Sequence, residues 1–226
     1  MTIYGGPDIV TDGLVCLLDA GNSKSYSGSG TTWYDISGND RHFTWSSAPS
    51  FSYENSLAYF NTTTRTCTGP ASNSFGINNT SGYTIVVSCK NNSLVNSNAF
   101  QFYGSDNTGF NGFRGIFAHI PFSNIVYFDQ GGCCDSSRRI TASVTNTTSW
   151  NIWAFKKDSS NRKIFRNSST ISTTTASANI NLLSTNVIVG DNLWDTRLQS
   201  FVVYNRGLTD LEILQNYNAL KGRFGL

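Results

Sequence analysis

Short segments with alternating apolar and polar residues recur along the whole chain, and this pattern constrains the fold most. In YTIVVSCK, residues 83–90, every second residue from Tyr83 to Cys89 falls on one face and the others fall on the opposite face. The other segments of this kind are LVCLLDA (14–20), LAYFN (57–61), AFQFYG (99–104), GIFAHI (115–120), NIVYFD (124–129), RITASV (139–144), WNIWAFKK (150–157), RKIFRN (162–167), NVIVG (186–190) and LQSFVVYN (198–205). Many short strands separated by turn residues are typical of a sandwich or a barrel.

The length and composition fit one large β domain. The chain has 226 residues and only 13% of them are charged, about half the usual share. We therefore predict an all-β fold with a polar, weakly charged exterior. Residues 1–11 are predicted to form an extended N-terminal arm and residues 12–226 a single domain. The segment 167–179, NSSTISTTTASAN, is predicted to be a polar β-arch or a long loop.

One short C-terminal helix is predicted after the last strand. Thr209 followed by Glu212 is a capping box, in which two side chains satisfy the free amides of the first turn. Gly222 can close the helix. The predicted apolar stripe consists of Leu211, Leu214, Tyr217 and Leu220.

Charge and hydropathy exclude several classes of partner. The net charge is only +2, and the basic residues are scattered rather than concentrated on one face, so we expect no nucleic-acid partner. No apolar run approaches the ~18 residues that would span a bilayer, and the first residues do not resemble a secretion signal. We expect no membrane insertion, synthesis in a cytoplasm, and reduced thiols in a chain with five cysteines.

The sequence offers little for catalysis. Glycoside hydrolysis needs a pair of carboxylates, but the chain has only two glutamates, Glu54 and Glu212. Glu212 is assigned to the helix cap, and no strand carries acids at i and i+2. The sequence therefore predicts that the protein is not an enzyme. It predicts no cofactor, except that calcium remains possible.

Calcium binding and turn formation explain the acidic loops equally well. Calcium prefers several oxygen ligands from loops. Two pairs of residues offer such oxygens, Asp19 with Asn22 and Asp35 with Asn39. Asp and Asn in these positions also form turns with their own backbone. Both explanations stay open at this point.

A glycan-binding platform is a second candidate site. Sugar binding needs an exposed aromatic plate beside amides or charged groups, and Trp194 is the best such plate in the sequence. The polar residues around it are Asp191, Asn192, Asp195 and Arg197. The alternative is that Trp194 packs partly in the core, as the other four tryptophans are expected to do.

Two adjacent cysteines, Cys133 and Cys134, lie in FDQGGCCDSSRR. This segment falls between two predicted strands and is interpreted as a hairpin connection in which Gly131 and Gly132 provide unusual backbone conformations. Adjacent residues of an extended backbone point to opposite faces. We therefore expect structural vicinal thiols that stay reduced, one inward and one outward, with a vicinal disulfide as the alternative.

Four longer segments resemble a known family. Residues 12–40, 116–140, 148–169 and 198–226 are similar to LamG-like, concanavalin A-like jelly-roll proteins common in bacteriophage and other virus genomes. The resemblance implies a two-sheet antiparallel jelly-roll sandwich with neighbouring termini. Members with this ending are often structural proteins of virus particles, and the resemblance implies that the cysteine pair is a structural feature.

Together these observations predict a non-enzymatic virion structural protein, a capsid decoration or a tail or fibre component displayed on the particle. Its partners would be other virion proteins and further copies of itself. The alternative is a tail-fibre adhesin that binds host surface glycans, assisted by calcium, and a glycoside hydrolase is the weakest hypothesis.

Overall fold

The computed structural model describes residues 8–94, 98–105, 114–145, 147–191 and 193–226. The strands are β1 Leu14–Asp19, β2 Thr32–Trp33, β3 Phe43–Trp45, β4 Ser50–Glu54, β5 Leu57–Asn61, β6 Cys67–Ala71, β7 Tyr83–Asn91, β8 Phe100–Tyr103, β9 Arg114–Phe122, β10 Ile125–Gln130, β11 Arg139–Ser143, β12 Asn151–Lys157, β13 Arg162–Arg166, β14 Ser169–Thr174, β15 Asn186–Val189 and β16 Thr196–Tyr204. The helix α1 spans Asp210–Leu220, and single 3₁₀ turns span Ser72–Phe75 and Lys221–Arg223.

These strands form two antiparallel sheets. The first sheet has the order β14-β13-β12-β7-β16-β5-β4, with β1 also paired to β16, and the second has the order β11-β10-β9-β8-β15-β6-β3-β2. The all-β, two-sheet jelly-roll sandwich with one short C-terminal helix is confirmed. The alternating side chains of the strands give each sheet an inner and an outer face. In β7, Ile85 and Val87 enter the core between the sheets, while Val86 faces the other way.

A second apolar cluster lies on the outer face of the first sheet. It contains Val86, Ile152 and Val202 from the sheet, and Ile213 and Phe224 from the C-terminal part of the chain. The helix and the residues that follow it therefore cover one side of the sandwich.

The capping box of α1 is confirmed, but the predicted apolar stripe is only partly right. Thr209 and Glu212 exchange the expected hydrogen bonds, whereas Leu211 is 77% exposed and Leu214 is 41% exposed. The buried residues are Ile213 and Asn216. The helix is rotated this way because Asn216 bonds outside the helix, and it ends at Leu220 with Lys221, not Gly222, as its C-cap.

Only residues 8–11 of the predicted arm lie within the described residues. Val10 donates its amide to Oδ1 of Asn216 at 2.8 Å and accepts a hydrogen bond from the Tyr204 hydroxyl at 3.0 Å. These bonds fasten this part of the chain to both the helix and β16.

Part of the polar segment 167–179 is a strand rather than a loop. β14 pairs with β13 around a two-residue turn at Asn167 and Ser168, both with positive φ. This backbone is the one that tight hairpins prefer. Cys67 lies in strand β6 and is fully buried.

Candidate functional site

The predicted glycan platform is not assembled. Trp194 is only 2% exposed, and its indole nitrogen donates to the backbone oxygen of Ile120 at 3.2 Å. The expectation of an exposed plate is therefore wrong, because Trp194 belongs to the core between the sheets. The alternative, packing of this side chain in the core, is what the structure shows.

The polar residues around Trp194 are occupied by structural bonds. Asp191 accepts from the backbone amides of Leu193, Trp194 and Asn98. Asp195 accepts from the side chains of Thr63, Asn92 and Ser93. Asn192 lies outside the described residues. Arg197 turns to the outer face of the first sheet, where it contributes to a different cluster.

The predicted calcium ligands are occupied by hydrogen bonds within the protein. Asp19 accepts from both terminal nitrogens of Arg223 and from the amide of Gln199. Asn22 accepts from the amide of Lys24, an ordinary turn bond.

Asp35 is 6% exposed and accepts from the backbone amides of Leu17, Ser37 and Arg41. Asn39 donates to the backbone oxygen of Leu14 and to the hydroxyl of Ser37. In the described part of the chain, no group of three or more His, Cys, Asp or Glu residues is placed to hold a metal ion. Turn formation and ion pairing therefore account for these residues.

The hairpin role of the cysteine segment is confirmed, but the expected reduced pair is wrong. β10 and β11 are antiparallel partners on either side of it, and the sulfurs of Cys133 and Cys134 are joined in a disulfide. The prediction assumed a trans, extended backbone that separates the two side chains. Here the peptide between them is cis and the Cα atoms are 3.2 Å apart. Cys133 is buried and Cys134 is exposed.

A buried arginine holds this hairpin connection in place. Arg162 has no exposed surface and donates to the backbone oxygens of Ser137, Arg138 and Ala176 at distances of 2.7 to 3.0 Å. Carbonyl groups that water would otherwise solvate are thus paired internally.

A polar cleft lies where the C-terminal residues cross the first sheet. Its volume is about 570 Å³, within the range of small-molecule binding sites. We call it the C-terminal cleft, and it is lined by Glu54, Asn55, Leu57, Lys90, Ser149, Trp150 and residues 222–226.

The charged wall of the C-terminal cleft is organised around Glu54. Lys90 and Arg197 are direct cross-strand partners on β7 and β16, and two like charges in such positions repel each other. Glu54 compensates both, with one carboxylate oxygen 2.7 Å from Lys90 Nζ and the other 3.1 Å from Arg197 Nη1. The indole nitrogen of Trp150 donates to the same carboxylate at 2.9 Å. The hydrogen bond from Lys90 is the main cause of a lowered pKa of Glu54.

The apolar wall of the C-terminal cleft is aromatic. The ring of Trp150 lies 5.3 Å from the ring of Phe224 and 6.0 Å from that of Tyr59. The Arg197 guanidinium lies over Tyr59 at 5.2 Å. The cleft thus combines an aromatic surface with a fixed carboxylate, an ammonium group and an amide, a combination that suits recognition of a ligand with both polar and apolar faces.

The C-terminal cleft differs from the usual glycoside hydrolase site in two respects. The general acid of such a site is protonated near neutral pH, which requires a raised pKa, whereas the pKa of Glu54 is lowered. Most of these enzymes also use a second carboxylate side chain, and Glu54 is the only Asp or Glu among the described residues that line the cleft.

In the described part of the chain, no helix is long and apolar enough to cross a membrane.

Sequence reasoning missed this cleft. The sequence suggests Glu54 only as a candidate for catalysis, and it predicts that Trp150 packs in the core. The sequence does place a charged residue near the end of two strands, Glu54 in β4 and Lys90 in β7. These positions indicate a shared site only when the pairing of the strands is known.

No protein-family model and no curated protein sequence matches the chain. Solved structures do match. The sialidase of Trypanosoma rangeli in complex with 2,3-difluorosialic acid is 12% identical with a TM-score of 0.66, over 96% of this chain and 35% of that chain. The binding domain of botulinum neurotoxin DC in complex with rat synaptotagmin II is 14% identical with a TM-score of 0.68, over 93% and 52%.

The binding domain of Paraclostridial Mosquitocidal Protein 1 is 15% identical with a TM-score of 0.67, over 92% of this chain and 52% of that chain. The chain shares a β-sandwich fold with these proteins. It spans about a third to a half of the length of these structures, and at such identities the likeness concerns the fold alone.

Proposed function

We propose that this chain is a non-catalytic binding module displayed on a virus particle, and that it recognises glycans through the C-terminal cleft. The observation that carries the proposal is the position of Glu54 between Lys90, Arg197 and Trp150. A carboxylate held on three sides and kept ionised is a hydrogen-bond acceptor of fixed geometry. It lacks the proton and the second acid that hydrolysis needs.

The chemistry of the cleft supports a glycan ligand. Sugar rings present apolar C–H faces that pack on aromatic side chains, and hydroxyl groups that bond to carboxylates, amides and ammonium groups. Trp150 and Phe224, which keep 8% and 9% of their surface exposed, provide an edge of the first kind, and Glu54, Asn55 and Lys90 provide the second. Among proteins of similar fold, a sialidase was solved with a sialic acid derivative and a toxin binding domain with synaptotagmin II. This architecture is therefore compatible with both glycan and protein ligands.

The virion assignment rests on the sequence resemblance. Residues 12–40 and 198–226 resemble jelly-roll proteins of virus particles, in which such modules serve as capsid decorations or as tail and fibre components. Residence in the virion, contacts with other virion proteins and self-association belong to the proposal on the same ground, since particle components are commonly symmetric assemblies.

A glycan array with three proteins tests the binding site. Gly222 lines the cleft, and a Cβ added there meets no atom within 4 Å, so Gly222→Phe fills the cleft without a clash. Ser47→Phe, at an exposed position outside the cleft, is the control. We expect glycan binding by the native protein and by Ser47→Phe, loss of binding in Gly222→Phe, and no effect of a chelator.

Two results would overturn the proposal. An array on which the correctly assembled native protein binds no glycan would remove the glycan ligand. Binding that survives Gly222→Phe would remove the cleft as the site. Antibody labelling of purified particles tests the virion assignment separately, and we expect the label on the particle surface.

A further inference from the structure

A cavity of about 250 Å³ lies between α1 and the outer face of the first sheet. It is distinct from the C-terminal cleft, and Arg223 is the one residue that lines both. Its apolar lining residues include Ile9, Leu17, Ile36, Val86, Val202 and Leu220, and its charged lining residues are Asp8, Asp19 and Arg223. A cavity of this kind with a few convergent polar groups is typical of a small-molecule site.

One polar group of the cavity has no partner. Ser200 lines the cavity and is 2% exposed, and within the described residues its hydroxyl makes no hydrogen bond. A buried hydroxyl without a partner costs free energy. A ligand or an ordered water that bonds to Ser200 Oγ would recover that free energy.

A neighbouring acceptor has the same property. The side-chain oxygen of Gln199 is buried and makes no hydrogen bond within the described residues. The amide nitrogen of Gln199 donates at 2.6 Å to Asp19, which lines the cavity. An amide oxygen can only accept, and because Gln199 is not one of the residues that line the cavity, this oxygen adds no requirement for a ligand there.

The charges of the cavity define the ligand further. Asp19 and Arg223 form an ion pair with two hydrogen bonds, of 2.7 and 2.9 Å, so each charge is already compensated by the other. An anionic or cationic ligand would have to compete with that pair. Asp8, the third charged residue of the lining, is exposed to solvent, and the other lining residues favour an apolar body and a neutral hydrogen-bonding head.

We propose that this cavity binds a neutral aliphatic alcohol, with its hydroxyl at Ser200 and its carbon chain against Val86 and Val202. This site goes beyond the glycan-binding function and does not depend on it. Ser200 and Val202 both lie on β16, where they line the same side of the strand.

The sequence provides a matched control for the test. Ser88 is the cross-strand partner of Ser200. It is also fully buried, and its hydroxyl is likewise unpaired within the described residues. Ser88 does not line the cavity. Ser200→Ala and Ser88→Ala therefore remove the same unpaired group from adjacent positions, and only the first changes the cavity.

The experiment measures 1-hexanol binding to the full chain by ligand-observed NMR titration. We expect Ser88→Ala to bind like the native protein and Ser200→Ala to bind about three- to tenfold more weakly, the value of one neutral hydrogen bond. Val202→Phe, which fills the cavity, should abolish binding. Gly222→Phe, which fills the neighbouring cleft, should leave it unchanged, and hexanoate should bind more weakly than 1-hexanol.

The proposal is overturned if the native protein does not bind 1-hexanol, or if Ser200→Ala and Ser88→Ala have equal affinities. Equal binding of hexanoate would also overturn it. If Val202→Phe fails to fold, the comparison of the two serine variants still decides, because removing an unpaired hydroxyl is not expected to destabilise the protein.

Discussion

Arg223 donates two hydrogen bonds to the carboxylate of Asp19, at 2.7 and 2.9 Å, across 204 positions of the sequence. The bond joins the end of β1 to the 3₁₀ turn after α1, and thus fixes the C-terminal residues over the first sheet. It also separates the C-terminal cleft from the cavity beneath the helix.

Arg223→Ala should loosen the C-terminal residues and enlarge the cleft. We expect a loss of about 1–2 kcal/mol in the free energy of unfolding, as a partly exposed charged pair contributes less than a buried one. Amide exchange of residues 221–226 should become faster. Lys24→Ala, at an exposed lysine without an ion pair among the described residues, is the control. Unchanged exchange in Arg223→Ala would contradict this role.

Glu212 should make stability depend on pH. The hydrogen bonds from Arg206 lower the pKa of Glu212 to about 2, whereas an unfolded chain has a value of about 4.3. The ionised form therefore favours the folded state, and its contribution is complete above about pH 5 and is lost as the pH falls toward 2.

Chemical unfolding at a series of pH values checks this expectation. Glu212→Gln should be less stable than the native protein at pH 7 and should lose less stability between pH 5 and 2. Asp40→Asn, where the carboxylate is 92% exposed, should follow the native curve. Equal slopes for Glu212→Gln and the native protein would refute the assignment.

Gly69 should not tolerate a side chain. A Cβ at this position would lie 2.3 to 2.6 Å from ring carbons of the fully buried Phe43, so Gly69→Ala should cost about 1–3 kcal/mol through overpacking. Gly222→Ala, where the space is open, should be neutral or stabilising by up to about 1 kcal/mol. Denaturant titrations of the two variants measure the difference. Similar midpoints would show that the core near Phe43 can yield.

Thiol counting tests the disulfide. Cys16, Cys67 and Cys89 are free and buried, and burial raises the pKa of each thiol, for Cys89 to about 12. We expect almost no alkylation of the folded protein, three labelled cysteines after denaturation without reductant, and five after reduction. Five labelled cysteines without reductant would restore the prediction of a reduced pair.

The alternation of apolar and polar residues in the strands and the capping box of the helix make the fold predictable from the sequence. They do not reveal the C-terminal cleft. The strand 83–90 and the Thr209 cap depend on neighbours in sequence, so local patterns suffice. The meeting of Glu54 with Trp150 depends on which strands pair and in which register, and a single sequence does not contain that information. The exposure of Trp194 is wrongly predicted for a similar reason, because flanking polar residues suggest exposure although Asp191 bonds to backbone amides and Asp195 bonds to neighbouring side chains.

The cysteine pair shows the same limit at short range. The hairpin position of Cys133 and Cys134 follows from the strands on either side. Whether their sulfurs bond is not determined by the residue types in this segment.

The most direct test of a non-catalytic binding module is the fate of a bound glycan. Each glycan retained on the array by the native protein and by Glu54→Gln is eluted after prolonged incubation and its mass is measured. We predict that every glycan is recovered intact from both proteins. A cleavage product that forms with the native protein and disappears with Glu54→Gln would contradict the central claim and identify Glu54 as a catalytic residue.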